Sequence, residues 1–174
     1  MVRIQGNNIT TLEPYRGEPI VELFECEYIT DISPIAGAGN INIACCHNIA
    51  DFSPLKGAET VYIQDCNQPI NLPPLEANRV LIRNCPQFAD VSMLAGVKQH
   101  VTLSQCGLVT DISPLAGVKS LNISSCKNII DLSPLKGTIR ELSIYNCDQF
   151  TDADLALFEK TARVTRIHDS CINY

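Results

Sequence analysis

Seven cysteines recur at nearly equal intervals. Cys26, Cys46, Cys66, Cys85, Cys106, Cys126 and Cys147 are separated by 20, 20, 19, 21, 20 and 21 residues. Thiols act as nucleophiles or metal ligands when ionised, or they close disulfides, and each use needs its own neighbourhood. An even beat lacks the paired spacings of a zinc site or a secreted disulfide framework, and the total of nine is odd. Cys45-Cys46-His47 is a local cluster of metal-ligand types. If Cys46 belongs to the beat and points inward, Cys45 points outward, so the two cannot easily share one ion. Cys45 then becomes a candidate exposed, reactive thiol. His47, His100 and His168 fall in separate periods, and no G-x-S-x-G, P-loop, G-x-G-x-x-G or H-E-x-x-H pattern occurs. Catalysis needs a nucleophile within reach of a base and a place for developing charge. The expectation is therefore a non-enzyme, with no metal and no cofactor.

What positions the thiols is a repeat. Five residues before each cysteine stands Val21, Ile41, Val61, Val80, Val101, Leu121 or Leu142. Three before stands Leu23, Ile43, Ile63, Ile82, Leu103, Ile123 or Ile144. Apolar residues two apart on β-branched segments share one face of a strand. Units that repeat in one direction put these strands parallel, about 4.8 Å apart. Return segments such as Asp31-Ile32-Ser33-Pro34-Ile35, Asp51-Phe52-Ser53-Pro54-Leu55, Asp111-Ile112-Ser113-Pro114-Leu115 and Asp131-Leu132-Ser133-Pro134-Leu135 are near copies. Serine is expected to cap a single helical turn that proline starts, and Gly37, Gly57, Gly96, Gly117 and Gly137 to close it in the left-handed region. The turns are too short for α-helix and should be 3₁₀ or irregular, with Asn71-Leu72-Pro73-Pro74-Leu75 extended. A small thiol just past each strand is expected to pack inside the coil and donate weakly to a carbonyl of its own or a neighbouring coil. Disulfides between equivalent cysteines are the rival, although parallel side chains on one face rarely reach the required dihedral.

The combined template, L-x-[LI]-x-x-C-x-x-I-x-D-[IL]-S-P-L-x-G, resembles the leucine-rich-repeat family over nearly the whole chain. Asn7 stands 19 residues before Cys26, matching the family's alternation of Asn and Cys at that position. Asp111-Ile112-Ser113-Pro114-Leu115-Ala116-Gly117 looks like bacterial internalin-type repeats. The cysteines, and the unit from Asn146 to Leu155, look like the cysteine-containing subclass found in F-box substrate receptors. The resemblance implies an α/β fold: a right-handed leucine-rich-repeat solenoid with its parallel sheet on the concave face, short 3₁₀ or irregular convex segments and one C-terminal helix. Residues 1–174 read as a single domain of about eight to nine coils, with an N-terminal coil at 1–19 and a C-terminal helix and capping strand at 148–174. The helix is expected from the capping-box-like Thr151-Asp152-Ala153-Asp154. In the final strand the expected ladder residue is Ser170 rather than Cys171, which turns Arg166 and His168 outward. Val2, Ile4, Ile9 and Leu12 have no obvious cover, so end-to-end self-association through the N-terminal coil is an expectation.

Net charge is −6 with pI near 5.0, and no basic stripe is visible in the chain, which argues against a nucleic-acid partner. No apolar run approaches the ~20 residues of a membrane span. A ladder of thiols favours a reducing compartment, so a cytoplasmic location is expected, in a bacterial or a host cell. Outward strand residues alternate with the buried ones and are free to bind. Among them Glu22, Phe24, Tyr62, Gln64, Leu81 and Arg83 form the candidate site, because they combine the aromatic, apolar and arginine types enriched at binding hot spots. The function expected is a protein–protein interaction module whose partner is another protein. The alternatives are a structural spacer or self-associating module, and a cytosolic adaptor such as a ubiquitin-ligase receptor, although no F-box-like segment is present.

Overall fold

The computed structural model describes residues 1–167. Nine strands form one parallel sheet in chain order: β1 (Val2–Gln5), β2 (Ile20–Phe24), β3 (Asn40–Ala44), β4 (Thr60–Gln64), β5 (Arg79–Arg83), β6 (His100–Ser104), β7 (Ser120–Ser124), β8 (Glu141–Tyr145) and β9 (Arg163–Ile167). Equivalent residues stand side by side, Val21 next to Ile41 and Ile41 next to Val61, so the chain is a solenoid-like repeat with one strand per coil. The two apolar rows read from the sequence are at most 1% exposed in β2 to β8. One apolar core runs from Ile4 to Phe158. Full burial of each such side chain contributes roughly 1.5–3 kcal/mol.

A strand that alternated without interruption would turn each ladder cysteine outward. The alternation is broken one residue earlier. Glu25, Cys45, Asp65, Asn84, Gln105, Ser125 and Asn146 all have φ between 47° and 54°. This left-handed step costs on the order of 1 kcal/mol for a non-glycine residue. It swings the following thiol into the core, where Cys26 through Cys147 are at most 1% exposed. It also aims an amide at the neighbouring coil: Glu25 donates to the Ala44 carbonyl at 3.0 Å and Gln105 to that of Ser124 at 2.8 Å.

Four of the thiols, Cys26, Cys85, Cys106 and Cys126, then meet two kinds of carbonyl, while Cys46 and Cys66 meet that of their own coil. Cys85 Sγ lies 3.2 Å from the Arg83 oxygen in its own coil and 3.7 Å from that of Ile63 in the coil before. Cys106 repeats this with Ser104 at 3.4 Å and Ile82 at 3.5 Å. The eight described cysteines are free thiols. Burial pushes the Cys46 thiol up to about 12. Cys66 and Cys106 are also held protonated, because each donates to the next thiol, Cys85 or Cys126, and is desolvated.

The return segments contain 3₁₀ turns at Glu13–Tyr15, Ser33–Ile35, Ser53–Leu55, Ser92–Leu94, Ser113–Leu115 and Ser133–Leu135, and the double-proline stretch before β5 has none, as expected. The capping group is different from the one anticipated. No serine side chain caps these turns. Instead the aspartate two residues earlier accepts the serine amide, Asp31 at 2.7 Å and Asp51 at 2.8 Å, while the serine hydroxyl donates to the same carboxylate. The ionised carboxylate accepts both bonds, and each is stronger than a bond to a neutral hydroxyl would be.

Glycine geometry also divides. Gly37, Gly57 and Gly137 have positive φ, closing type II turns. Gly96 and Gly117 do not, because the residue before each, Ala95 or Ala116, stays right-handed and makes a type I turn. Gly96 is needed for a different reason: a Cβ there would lie 2.3 Å from the Leu75 carbonyl oxygen of the preceding coil.

Both ends revise the sequence reading. Val2 and Ile9 are half-buried, but Ile4, on the strand paired with β2, is 3% exposed, and Leu12, in the common apolar core, is 0% exposed. At the other end helix α1 spans Asp152–Ala156, and Thr151 forms the expected capping box with Asp154. The register of β9 is shifted by one from the expected one. Val164 and Arg166 pair with Leu142 and Ile144 on the inner rows, leaving Ile167 46% exposed. Arg166 takes the inner place because its guanidinium donates to Asp152 Oδ1 at 2.7 Å and to the Phe150 carbonyl, closing the end of the core with polar bonds. His168, Ser170 and Cys171 lie outside the described residues.

Gly96→Ala is expected to lower unfolding free energy by roughly 2–3 kcal/mol. Gly39→Ala, whose Cβ would find its nearest neighbour at 3.7 Å, should be close to neutral; urea denaturation compares them. Asp31, Asp51, Asp90 and Asp131 are held below the usual aspartate value, the first three chiefly by the serine amide and Asp131 chiefly by the serine hydroxyl. A depressed folded value adds stability above the unfolded-chain value and loses it as pH falls. Asp51→Ala should therefore lower the thermal midpoint at pH 7, and the gap to wild type should close as pH drops below the 3.8 of a free aspartate. A gap independent of pH would contradict the carboxylate cap.

Candidate partner-binding face

The outward side of the sheet carries three rows. One runs Arg3, Glu22, Asn42, Tyr62, Leu81, Thr102, Asn122, Ser143, and a second runs Gln5, Phe24, Ala44, Gln64, Arg83, Ser104, Ser124, Tyr145. The third row begins each strand from β2 onward: Ile20, Asn40, Thr60, Arg79, His100, Ser120, Glu141, Arg163. It was missed in the sequence because only the position between the two apolar residues and the one after them were read outward. The signal was present, since each of these residues from Ile20 to Glu141 stands six before its ladder cysteine.

The six candidate residues do not form one continuous cluster. Tyr62 neighbours Leu81, and Gln64 neighbours Arg83, across β4 and β5. Glu22 and Phe24 lie two strands away on β2, separated by Asn42 and Ala44 of β3. Strand β3 fills the gap between the two groups. Gln64 Nε2 donates to Asn42 Oδ1 at 3.2 Å, and Ala44, at 7% exposure, sits low between Phe24 and Gln64. On the far side the Arg3 guanidinium stacks 4.3 Å from the Phe24 ring centroid. At an exposed site this cation–π contact contributes about 0.5–1 kcal/mol, and it holds the ring in place.

The face is dimpled. A depression of about 230 Å³ lies between Glu22, Asn42 and Tyr62, with Ile20, Asn40 and Thr60 completing its wall. Leu81 and Arg83 border a second, of about 450 Å³, whose other wall is Thr102, Ser104, Asn122, Ser124 and Tyr145. The hydroxyl- and amide-rich stretch of the sheet therefore lines the larger of these two hollows. Asn122 Oδ1 is buried there with no hydrogen-bond partner.

The residues first considered for chemistry are dispersed. Cys45 is half-buried at the left-handed corner, and burial, then the nearby Asp65 carboxylate, with Glu25 on the other side, push its thiol up. It is a poor nucleophile by this measure, against the expectation of reactivity. His47 Nδ1 accepts the Asn67 amide at 3.4 Å. His100 bridges β6 and β7: its ring nitrogens lie 3.0 Å from Ser120 Oγ and 2.9 Å from Thr102 Oγ1. Burial first, then Arg79, lower its proton affinity, so the ring is neutral at pH 7. The His100 and Ser120 amides are bonded to Asn78 and Gln99, so neither is free to receive an oxyanion. Among the described residues no group of three or more His, Cys, Asp or Glu side chains is placed to hold a metal ion, and no helix is long and apolar enough to cross a membrane.

Compared with known protein families and with curated proteins, the chain matches none.

Of the eight described thiols, Cys45 alone is expected to react with iodoacetamide in the native state, slowly at pH 7 and faster as pH rises; peptide mapping reads the sites. Modification of Cys106 or Cys126 without denaturant would contradict the buried ladder.

Proposed function

We propose that the chain is a right-handed leucine-rich-repeat solenoid of one domain that binds a partner protein on the concave face of its sheet, without catalysis or cofactor. The observation that carries this reading is the set of large side chains left facing outward. Phe24, Tyr62 and Leu81 are half-buried, Arg83 is exposed, and none belongs to the apolar core. Holding the coils together falls chiefly to the inner rows, the thiols and the backbone ladder, and these side chains add only surface contacts such as the stacking of Arg3 on Phe24. Aromatic and arginine anchors beside hollows of side-chain size are the features of binding hot spots. The reduced thiol ladder further supports a cytoplasmic or otherwise reducing compartment.

The test is comparative capture. Partners cross-linked to the wild-type chain are identified, one is purified, and its affinity is measured for wild type and for Tyr62→Ala/Arg83→Ala. The double variant should bind at least tenfold more weakly, whereas Lys136→Ala, on the return side of the coils, should bind as wild type does. Equal affinity of the double variant, with an unchanged circular dichroism spectrum, would leave the spacer reading in its place.

A further inference from the structure

Arg79, Lys119 and Arg140 are separated by tens of residues in the chain, and nothing in their local sequence suggests a basic site. The coils bring them to one place. Together with His100, Ser120 and Glu141 they line a hollow of about 310 Å³ at the start of strands β5 to β8. The chain as a whole is acidic, at −6, so this concentration of cations runs against the average. The three salt bridges of the described residues, Met1–Glu18, Arg16–Glu13 and Arg166–Asp152, use none of them. Lys119 is oriented by Gln99, whose Oε1 accepts from its Nζ at 3.1 Å, and not by a carboxylate.

We infer that this hollow is a carboxylate-binding site that receives an acidic segment of a partner protein, with Arg79, Lys119 and Arg140 as its cationic contacts. The inference rests on reading the sheet as a recognition face and adds the chemistry of the segment that reaches coils five to eight. Two guanidiniums offer planar forks that match carboxylates bidentately. Arg79 and Arg140 stand three coils apart, about 14 Å at the strand spacing, with Lys119 between them. An extended peptide crossing the strands carries alternate side chains about 6.8 Å apart, so acids at i, i+2 and i+4 span the same distance. Short acidic peptide fits better than nucleic acid. Glu141 lies within the lining, Glu59 lies one coil outside it with its carbonyl bonded to the Asn78 amide, and the net charge repels a long polyanion. Neutral His100, fixed between two hydroxyls, supplies a polar floor continuous with Thr102 on the outward face.

Fluorescence anisotropy with a labelled hexaglutamate peptide tests this on the full chain. Saturable binding at 50 mM salt, weakened at least tenfold by Arg79→Ala/Arg140→Ala and strengthened by Glu141→Gln, is the expected result. Lys should substitute only partly, so Arg140→Lys should fall between wild type and Ala. Two-dimensional NMR should place the peptide-induced shifts at Arg79, His100 and Lys119 and not at Phe24. Absence of saturable binding, equal binding by the double variant with an unchanged thermal midpoint, or tighter binding of a phosphodiester oligonucleotide of equal charge would each overturn it. Tyr62→Ala/Arg83→Ala lies outside the lining and should leave peptide affinity unchanged, so loss of partner capture and loss of peptide binding are separable results.

Discussion

Every coil must turn a corner directly after its strand without leaving a backbone group unpaired in an apolar interior. That requirement governs the rest of the structure. The left-handed residue and the thiol after it meet it together. The first sends its amide to the next coil, and the second brings a small apolar side chain with one weak donor to carbonyls of its own coil and the previous one. A larger side chain would not fit between coils about 4.8 Å apart, and a strong polar group without partners would carry a desolvation cost of about 1–3 kcal/mol. Cysteine satisfies both limits, which is why the beat is so even.

The same geometry separates holding from binding. Inner rows, ladder thiols and aspartate-capped turns account for the packing of each coil on the next. Amide side chains just beyond the ladder add staples across the coils, Asn48 to the Glu27 carbonyl and Asn128 to that of Gly107. The outward rows add only a few such links, among them Gln64 to Asn42 and His100 to Ser120. Their composition changes from coil to coil, aromatic and apolar near β2 to β5 and hydroxyl and amide near β6 and β7, with Arg79, Lys119 and Arg140 gathered where β5 to β8 begin. A surface built this way varies its chemistry one coil at a time while its backbone stays constant.

Where a coil departs from the template, packing gives the reason. The stretch before β5 has two prolines and no helical turn, and its Leu75 amide is taken by the Met93 carbonyl of the next coil. That approach is close enough to exclude any side chain at Gly96. At the final strand, the inner row accepts an arginine because Asp152 of the helix beside it presents a carboxylate and Phe150, just before that helix, a carbonyl.

The spacing of cysteines and apolar pairs was sufficient to determine the strands, their parallel order, the inner rows, the 3₁₀ turns and the inward thiols, because a repeat forces equivalent residues into equivalent places. Local patterns did not distinguish Asp from Ser as the capping group, nor type I from type II turns at Gly96 and Gly117, since both choices satisfy the same motif. The register of β9 was ambiguous for a similar reason: Val164-Thr165-Arg166-Ile167 alternates acceptably either way, and only the contact with Asp152 and Phe150 selects one. Nor did the chain reveal that Glu22 and Phe24 stand apart from Tyr62, Leu81 and Arg83, or that Arg79, Lys119 and Arg140 converge. Those facts depend on which coils lie side by side across the sheet, and distance there is measured in strands, not in residues along the chain.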